Sequence, residues 1–223
     1  MKITTGLSSL DKLIDGGFPS KTVILLSGGP GTGKTLLGLN FLIEGAANGE
    51  KCYYLSVSES KEELLRACEE IDSLKKAKKY LNKNLLIETF PLGEKINLEH
   101  FTRTFANYPN IHRLVIDNVN KLLIFAEDNK DYRVKLTEIL RYLRDKVECS
   151  LLICETKGDE IDTGNEEAFD CDGVLHVSFL ELEEKPMRTL DIYKLRYTSF
   201  EPRVHHELLI NSRGIRLTAT KVI

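Results

Sequence analysis

Val23-Ile24-Leu25-Leu26-Ser27-Gly28-Gly29-Pro30-Gly31-Thr32-Gly33-Lys34-Thr35 is the stretch that decides the fold. Val23–Ser27 is apolar up to its serine, as in a strand buried on both faces of a parallel sheet. Gly28–Thr35 then matches G-x-x-x-x-G-K-[ST], the P-loop pattern. Its glycines let the backbone wrap closely around phosphate oxygens, with successive N–H groups turned inward. A helix opening near Gly33 adds unpaired N–H groups and the positive end of its dipole. Gly29, Pro30, Gly31, Thr32 and Gly33 are therefore the expected phosphate cradle. Lys34 brings a mobile charge to the β- and γ-phosphates, and the Thr35 hydroxyl is the expected Mg²⁺ ligand. At average residue usage, a chance match somewhere in 223 residues has a probability of about one per cent. The strand before the motif and the helix after it supply the context it needs.

Outward from this motif, Lys34–Asn48 reads as a helix ended by Gly49, and Cys52–Val57 as a second strand. Ser60-Lys61-Glu62-Glu63 has the form of a capping box opening another helix. Asn84–Thr89, Arg113–Ile116 and Ser150–Cys154 read as short buried strands, with helices over Leu98–Ala106 and Tyr132–Val147 between them. In the latter, Leu136, Ile139, Leu140, Leu143 and Val147 recur at helical spacing on one face. Strands alternating with such helices imply βαβ units and a parallel sheet. The end of the chain changes character. Gly173–Glu183, Arg188–Tyr197 and Val204–Ile210 read as three strands joined by turns at Glu184-Lys185-Pro186 and Glu201-Pro202. The fold class is α/β: a RecA-like P-loop core, mostly parallel, with a C-terminal antiparallel extension. No repeat or linker interrupts residues 1–223, which read as a single domain.

Asp117 closes the apolar run Leu114-Val115-Ile116, the Walker B pattern. A carboxylate at the C-terminal end of a buried strand stands on the edge where parallel sheets bind ligands. Thr35 and Asp117 are thus the expected metal residues. Glu155 ends the next buried strand on the same edge, either as a γ-phosphate sensor or as a solvated loop acid.

Composition bounds the function. The chain is 42% hydrophobic and 29% charged, and 34 acids against 31 bases give a net charge of −3. Domains that bind nucleic acid by bulk charge are usually strongly basic, so nucleic acid is not the expected partner. Cys52, Cys68, Cys149, Cys154 and Cys171 are odd in number and form no CxxC, which points to buried thiols in a reducing compartment. His205 and His206 would face opposite sides of a strand, which argues against a histidine metal site. Met1–Thr5 carries no apolar run and no stretch is long enough to span a membrane, so a cytoplasmic protein is expected.

With these residues placed, the chain resembles the KaiC-like branch of the RecA superfamily of ATPases. The resemblance rests on the lead-in Thr4-Thr5-Gly6-Leu7-Ser8-Ser9-Leu10-Asp11-Lys12-Leu13-Ile14-Asp15-Gly16-Gly17-Phe18-Pro19, on Gly28–Thr35, and on Lys194-Leu195-Arg196 followed by Thr198. It spans Thr4 to about Leu217. It implies ATP with Mg²⁺, and a homo-oligomeric ring, usually a hexamer, with ATP between subunits. It also implies that Lys194 and Arg196 reach the neighbour's γ-phosphate, with Leu195 and Thr198 beside that neighbour's nucleotide. Three departures stand out. Where the family has two consecutive acids, the first a general base, this chain has Ser58-Glu59, which leaves Glu59 as the candidate base. Tyr197 replaces a common glycine, and Phe200 stands where a clock protein of the family has histidine.

The expected function is Mg-dependent ATP binding with slow hydrolysis, in a ring acting as a nucleotide-dependent regulatory or signalling switch for an unidentified protein partner. A non-hydrolysing ATP-binding scaffold is a second reading, favoured by Ser58. A recombinase-related DNA-binding accessory protein is a third. The loop that would face DNA, Thr156–Asp172, has Lys157 as its only base against Asp159, Glu160, Asp162, Glu166, Glu167, Asp170 and Asp172, and such acidity repels phosphates.

Overall fold

The computed structural model describes residues 1–90, 97–121, 126–158, 160–182 and 185–222. Asp159, Glu183 and Glu184 of the expected loop, strand and turn lie outside them. Nine strands form one sheet in the order β11-β10-β9-β8-β3-β7-β6-β4-β5. Its centre is β3 (Thr22–Gly28), flanked in parallel by β7 (Cys149–Glu155) and β8 (Gly173–Leu180). β6 (Arg113–Asp117), β4 (Cys52–Ser56) and β5 (Leu85–Thr89) continue the parallel half. On the other side β9 (Met187–Leu195), β10 (His205–Asn211) and β11 (Gly214–Val222) run antiparallel. The parallel core with an antiparallel extension is as expected, but the extension has one strand more. β11 follows β10 through a two-residue turn in which Arg213 N–H bonds Asn211 Oδ1. A short hairpin of β1 (Lys2–Ile3) and β2 (Phe18–Pro19) frames α1 (Ser8–Leu13).

Helices cover both faces of the sheet. On one side α1, α2 (Lys34–Ala47), α3 (Lys61–Glu69) and α4 (Ala77–Tyr80) pack over a core that includes Ile24, Leu26, Tyr54, Val115 and Ile153. On the other, α5 (Leu98–Asn107), α6 (Asn129–Lys146) and α7 (Glu167–Asp170) pack over Val23, Leu25, Leu55, Ile116 and Cys154. The predicted stripe Leu136, Ile139, Leu140, Leu143 and Val147 is buried, each large side chain contributing about 2 kcal/mol. α6 begins before the predicted Tyr132 because the Asp128 side chain caps it, accepting from Asp131 N. The capping box at Ser60 and Glu63 is formed in both directions. All five cysteines are buried, which pushes their thiols up, Cys68 to about 11. His206 is buried while half-exposed His205 pairs with Asp191 at 2.8 Å, on opposite faces as the alternation predicts.

Several strand ends differ from the sequence reading, and two of them matter for the site. β4 stops at Ser56 rather than Val57, and β9 stops at Leu195 rather than Tyr197.

Candidate functional site

The parallel strands end on one edge of the sheet, and the turns there enclose a cleft of about 370 Å³. Its walls include Gly31, Lys34, Thr35, Ser58, Glu59, Asp117 and Glu155. β3 delivers the P-loop to this edge. Gly28 has φ 150°, and a Cβ there would lie 2.1 Å from the Val177 carbonyl oxygen. Gly33, at φ 95°, is the N-cap of α2, so the first turn of that helix opens on the cleft with no side-chain cap. A helix start with free N–H groups and no acid in its first turn suits an anion.

The side chains complete the picture. Lys34 Nζ folds back onto the loop and donates to Gly29 O at 2.7 Å. Burial lowers its pKa, and nearby Glu155 and Asp117 act against that. Thr35 Oγ1 donates to Asp117 Oδ2 at 2.8 Å, and the same oxygen accepts the Tyr54 hydroxyl at 2.6 Å. Burial raises the Asp117 pKa, while these two hydrogen bonds hold it down. A hydroxyl and a carboxylate so close form an all-oxygen donor pair of the kind Mg²⁺ takes.

Ser58 and Glu59 both line the cleft. Strand alternation would send them to opposite sides, but the strand has already ended. Ser56 Oγ donates to Glu59 O at 2.6 Å and accepts Glu59 N–H at 3.1 Å, a clasp that turns the chain toward the cleft. Burial, followed by the charges of Asp117, Glu63 and Glu155, raises the Glu59 pKa above its usual value. Such a carboxylate is a better proton acceptor than an ordinary surface glutamate.

Lys194, Leu195, Arg196 and Thr198 are not in this cleft. Leu195 pairs with Gly173, which is level with Ile24, four residues before Gly28. That puts it roughly 13 Å along the sheet from the P-loop of its own subunit. Lys194 Nζ donates to three carbonyls at the end of α7, those of Ala168, Phe169 and Cys171, at 2.6–3.0 Å. Arg196 pairs with Asp172 at 3.3 Å. The Leu195 side chain is in the core. Thr198 does not share a strand face with Lys194 and Arg196, because the strand has ended and Tyr197 sits at φ 63°, turning the chain. Its hydroxyl donates to Ile14 O at 3.2 Å.

Two residues beside the cleft escaped the sequence reading. Arg188, at the start of β9, reaches the P-loop with Nη2 3.4 Å from Gly31 O, its guanidinium over the Phe179 ring. Only the β8–β9 register, which sets Phe179 opposite Arg188, reveals it. Tyr54 lies inside the strand read over Cys52–Val57, with no local pattern to single it out.

The family model described as ATPase: KaiC matches residues 3–222. The chain belongs to the KaiC ATPase family. It is 26% identical over 243 residues to a UPF0273 protein of Pyrococcus horikoshii, covering 100% of this chain and 96% of that one. Identity to the circadian clock protein KaiC3 of Synechocystis is 25% over 230 residues, with 96% of this chain but only 45% of the clock protein covered. The crystal structure of a KaiC-like protein from Pyrococcus horikoshii superposes with a TM-score of 0.80 at 27% identity, over 98% of this chain and 99% of that one. The expected fold and family are therefore both established, and with them membership of a group of nucleotide-binding ATPases. Among the described residues of this KaiC-family chain, no helix is long and apolar enough to cross a membrane.

Proposed function

We propose that this chain, acting as one domain, binds Mg·ATP in the cleft and hydrolyses it slowly. The observation that carries the reading is the convergence of Lys34, Thr35, Asp117 and Glu59 on one cleft of about 370 Å³ beneath an uncapped helix start. The residues suit the ligand. A Cβ on Gly31 would meet nothing within 4 Å, so the backbone is open toward the cleft. The P-loop N–H groups and Lys34 hold the phosphates, with the Lys34 amine exchanging the Gly29 carbonyl for a phosphate oxygen. Arg188 adds a second cation at the loop. Thr35 and Asp117 hold Mg²⁺, which when bound neutralises charge on the phosphates. Glu59 orients a water and accepts its proton as the water oxygen attacks the γ-phosphorus and ADP leaves. Ser58 hydrogen-bonds water without serving as a base, and this is the reason to expect slow turnover. In this reading Arg196, at the far edge of the subunit, leaves Asp172 for a neighbour's phosphate in a ring, whose nucleotide state then acts as the switch for a protein partner.

Calorimetry with Mg·ATP, paired with phosphate release, tests the core of this reading. Wild type should bind and turn over, and Lys34→Ala should lose most of its affinity. Equal ATP binding by Lys34→Ala would remove the assignment of the cleft.

A further inference from the structure

We infer that Tyr54 is a positioning residue for the metal-binding carboxylate, its hydroxyl fixing Asp117 for Mg²⁺; the inference rests on the nucleotide reading of the cleft. Tyr54 is fully buried in β4, and its ring packs in the core beneath α2. Phenylalanine would fill that volume without bringing a polar group into an apolar region. The hydroxyl is there at a desolvation cost that only a good partner offsets. That partner is Asp117 Oδ2, 2.6 Å away, on the oxygen that also takes the Thr35 hydroxyl at 2.8 Å. β4 explains the reach. Ser56 is level with Asp117, and Tyr54, two residues earlier on the same face, extends its phenol toward that carboxylate from below.

The neighbouring tyrosine shows the contrast. Tyr53 points to the opposite face and donates to Glu88 at 2.6 Å, and neither residue lines the cleft. Two adjacent tyrosines thus satisfy two carboxylates, and only one of these belongs to the site. With Oδ2 held from two directions, the Asp117 carboxylate cannot rotate freely about its χ2. Thr35 keeps its proton on Asp117 and its lone pairs for the metal. Outer groups that orient ligands in this way typically change metal affinity by roughly 10–100-fold when removed.

The test reads binding rather than turnover. ATP affinity is measured by calorimetry without metal and across a Mg²⁺ titration, for wild type, Tyr54→Phe, Asp117→Asn and the double variant. Tyr54→Phe should leave metal-free ATP affinity unchanged and raise the Mg²⁺ concentration needed for half-maximal tightening about tenfold. In the Asp117→Asn background the same substitution should add little, because the group it orients is gone. An unchanged Mg²⁺ requirement in Tyr54→Phe, with wild type responding to the metal, overturns the role of Tyr54 alone. Wild type whose ATP affinity ignores Mg²⁺ overturns both this inference and the nucleotide reading.

Discussion

The two ends of the sheet pair their charges differently. At the cleft, Asp117 and Glu59 lie close together, and burial raises both carboxyls while lowering the Lys34 amine. At the far edge, Asp172 accepts Val23 N–H and Arg144 Nε through Oδ2 and Arg196 through Oδ1, while Lys194 is taken up by three carbonyls. Burial lowers the Lys194 amine as well, and the two ends differ in partners: Lys194 has three carbonyls where Lys34 has one. Shifted titratable groups with few partners, lining a cleft, are the pattern of a candidate ligand site. Fuller pairing holds a loop in place. The comparison also separates Lys194 from Arg196, which the family resemblance had joined. Lys194 has three short bonds to give up before it can leave α7. Arg196 has one longer pair, is half exposed, and leaves Asp172 with two other donors if it swings out. Of the two, Arg196 is the better candidate for action on a neighbour.

The largest expected effect tests that distinction. Arg196→Ala should bind ATP and lose turnover, by up to about 10³–10⁵-fold if it acts as arginine fingers do. Mixing it with Lys34→Ala subunits should restore part of the rate, since one supplies an intact P-loop and the other an intact arginine. Phosphate release that does not recover in mixed rings of verified composition would confine Arg196 to its own subunit.

Next in size is the base. Glu59→Gln should slow hydrolysis by about 10²–10⁴-fold with ATP affinity nearly kept, the range that general-base help supplies. The pH dependence has a definite sign. As the proposed base, Glu59 must act as the carboxylate, and its raised pKa keeps it protonated to higher pH than an ordinary glutamate. The acid limb of kcat/KM should therefore fall away above the usual glutamate value of 4.5, and should vanish in Glu59→Gln. Rapid hydrolysis unaffected by that substitution would place the base elsewhere.

How much of this was legible in the sequence depended on how local the cause was. The P-loop is contiguous, so its strand, turn and helix could be read together from Val23 to Thr35. Asp117 was readable because an apolar run points to it. Glu59 was harder. Strict alternation puts it on the opposite side from Ser58, and only a local turn brings it round: the Ser56 hydroxyl ends β4 early, and nothing in the pattern Leu55-Ser56-Val57-Ser58 announces such a clasp. Thr198 leaves the strand face of Lys194 and Arg196 for the same reason, a strand ending at Leu195 before a left-handed Tyr197. The family's glycine at that position was the clue, because a left-handed turn is what glycine accommodates. Arg188 and Tyr54 depend on register between strands, which no local pattern encodes. β11 was missed although its turn, Asn211-Ser212-Arg213-Gly214, ends in a glycine at φ 157°.

The smallest expected effect is on folding, and it tests whether the far edge is as internally satisfied as the geometry indicates. The Asp172 side chain is only 4% exposed, whereas that of Arg196 is 47% exposed. Removing the buried partner strands more than removing the exposed one. Asp172→Ala leaves Val23 N–H unpaired in the centre of the sheet and two guanidiniums without their acid, which should cost about 3 kcal/mol. Arg196→Ala gives up a half-exposed ion pair while Asp172 keeps Arg144 and Val23, so it should cost less than about 1 kcal/mol. Urea unfolding of the nucleotide-free protein measures both. Equal losses would mean that Arg196 is a structural member of the Asp172 cluster and not free to leave it, and the contrast between the two edges would fail at the residue on which the ring reading depends.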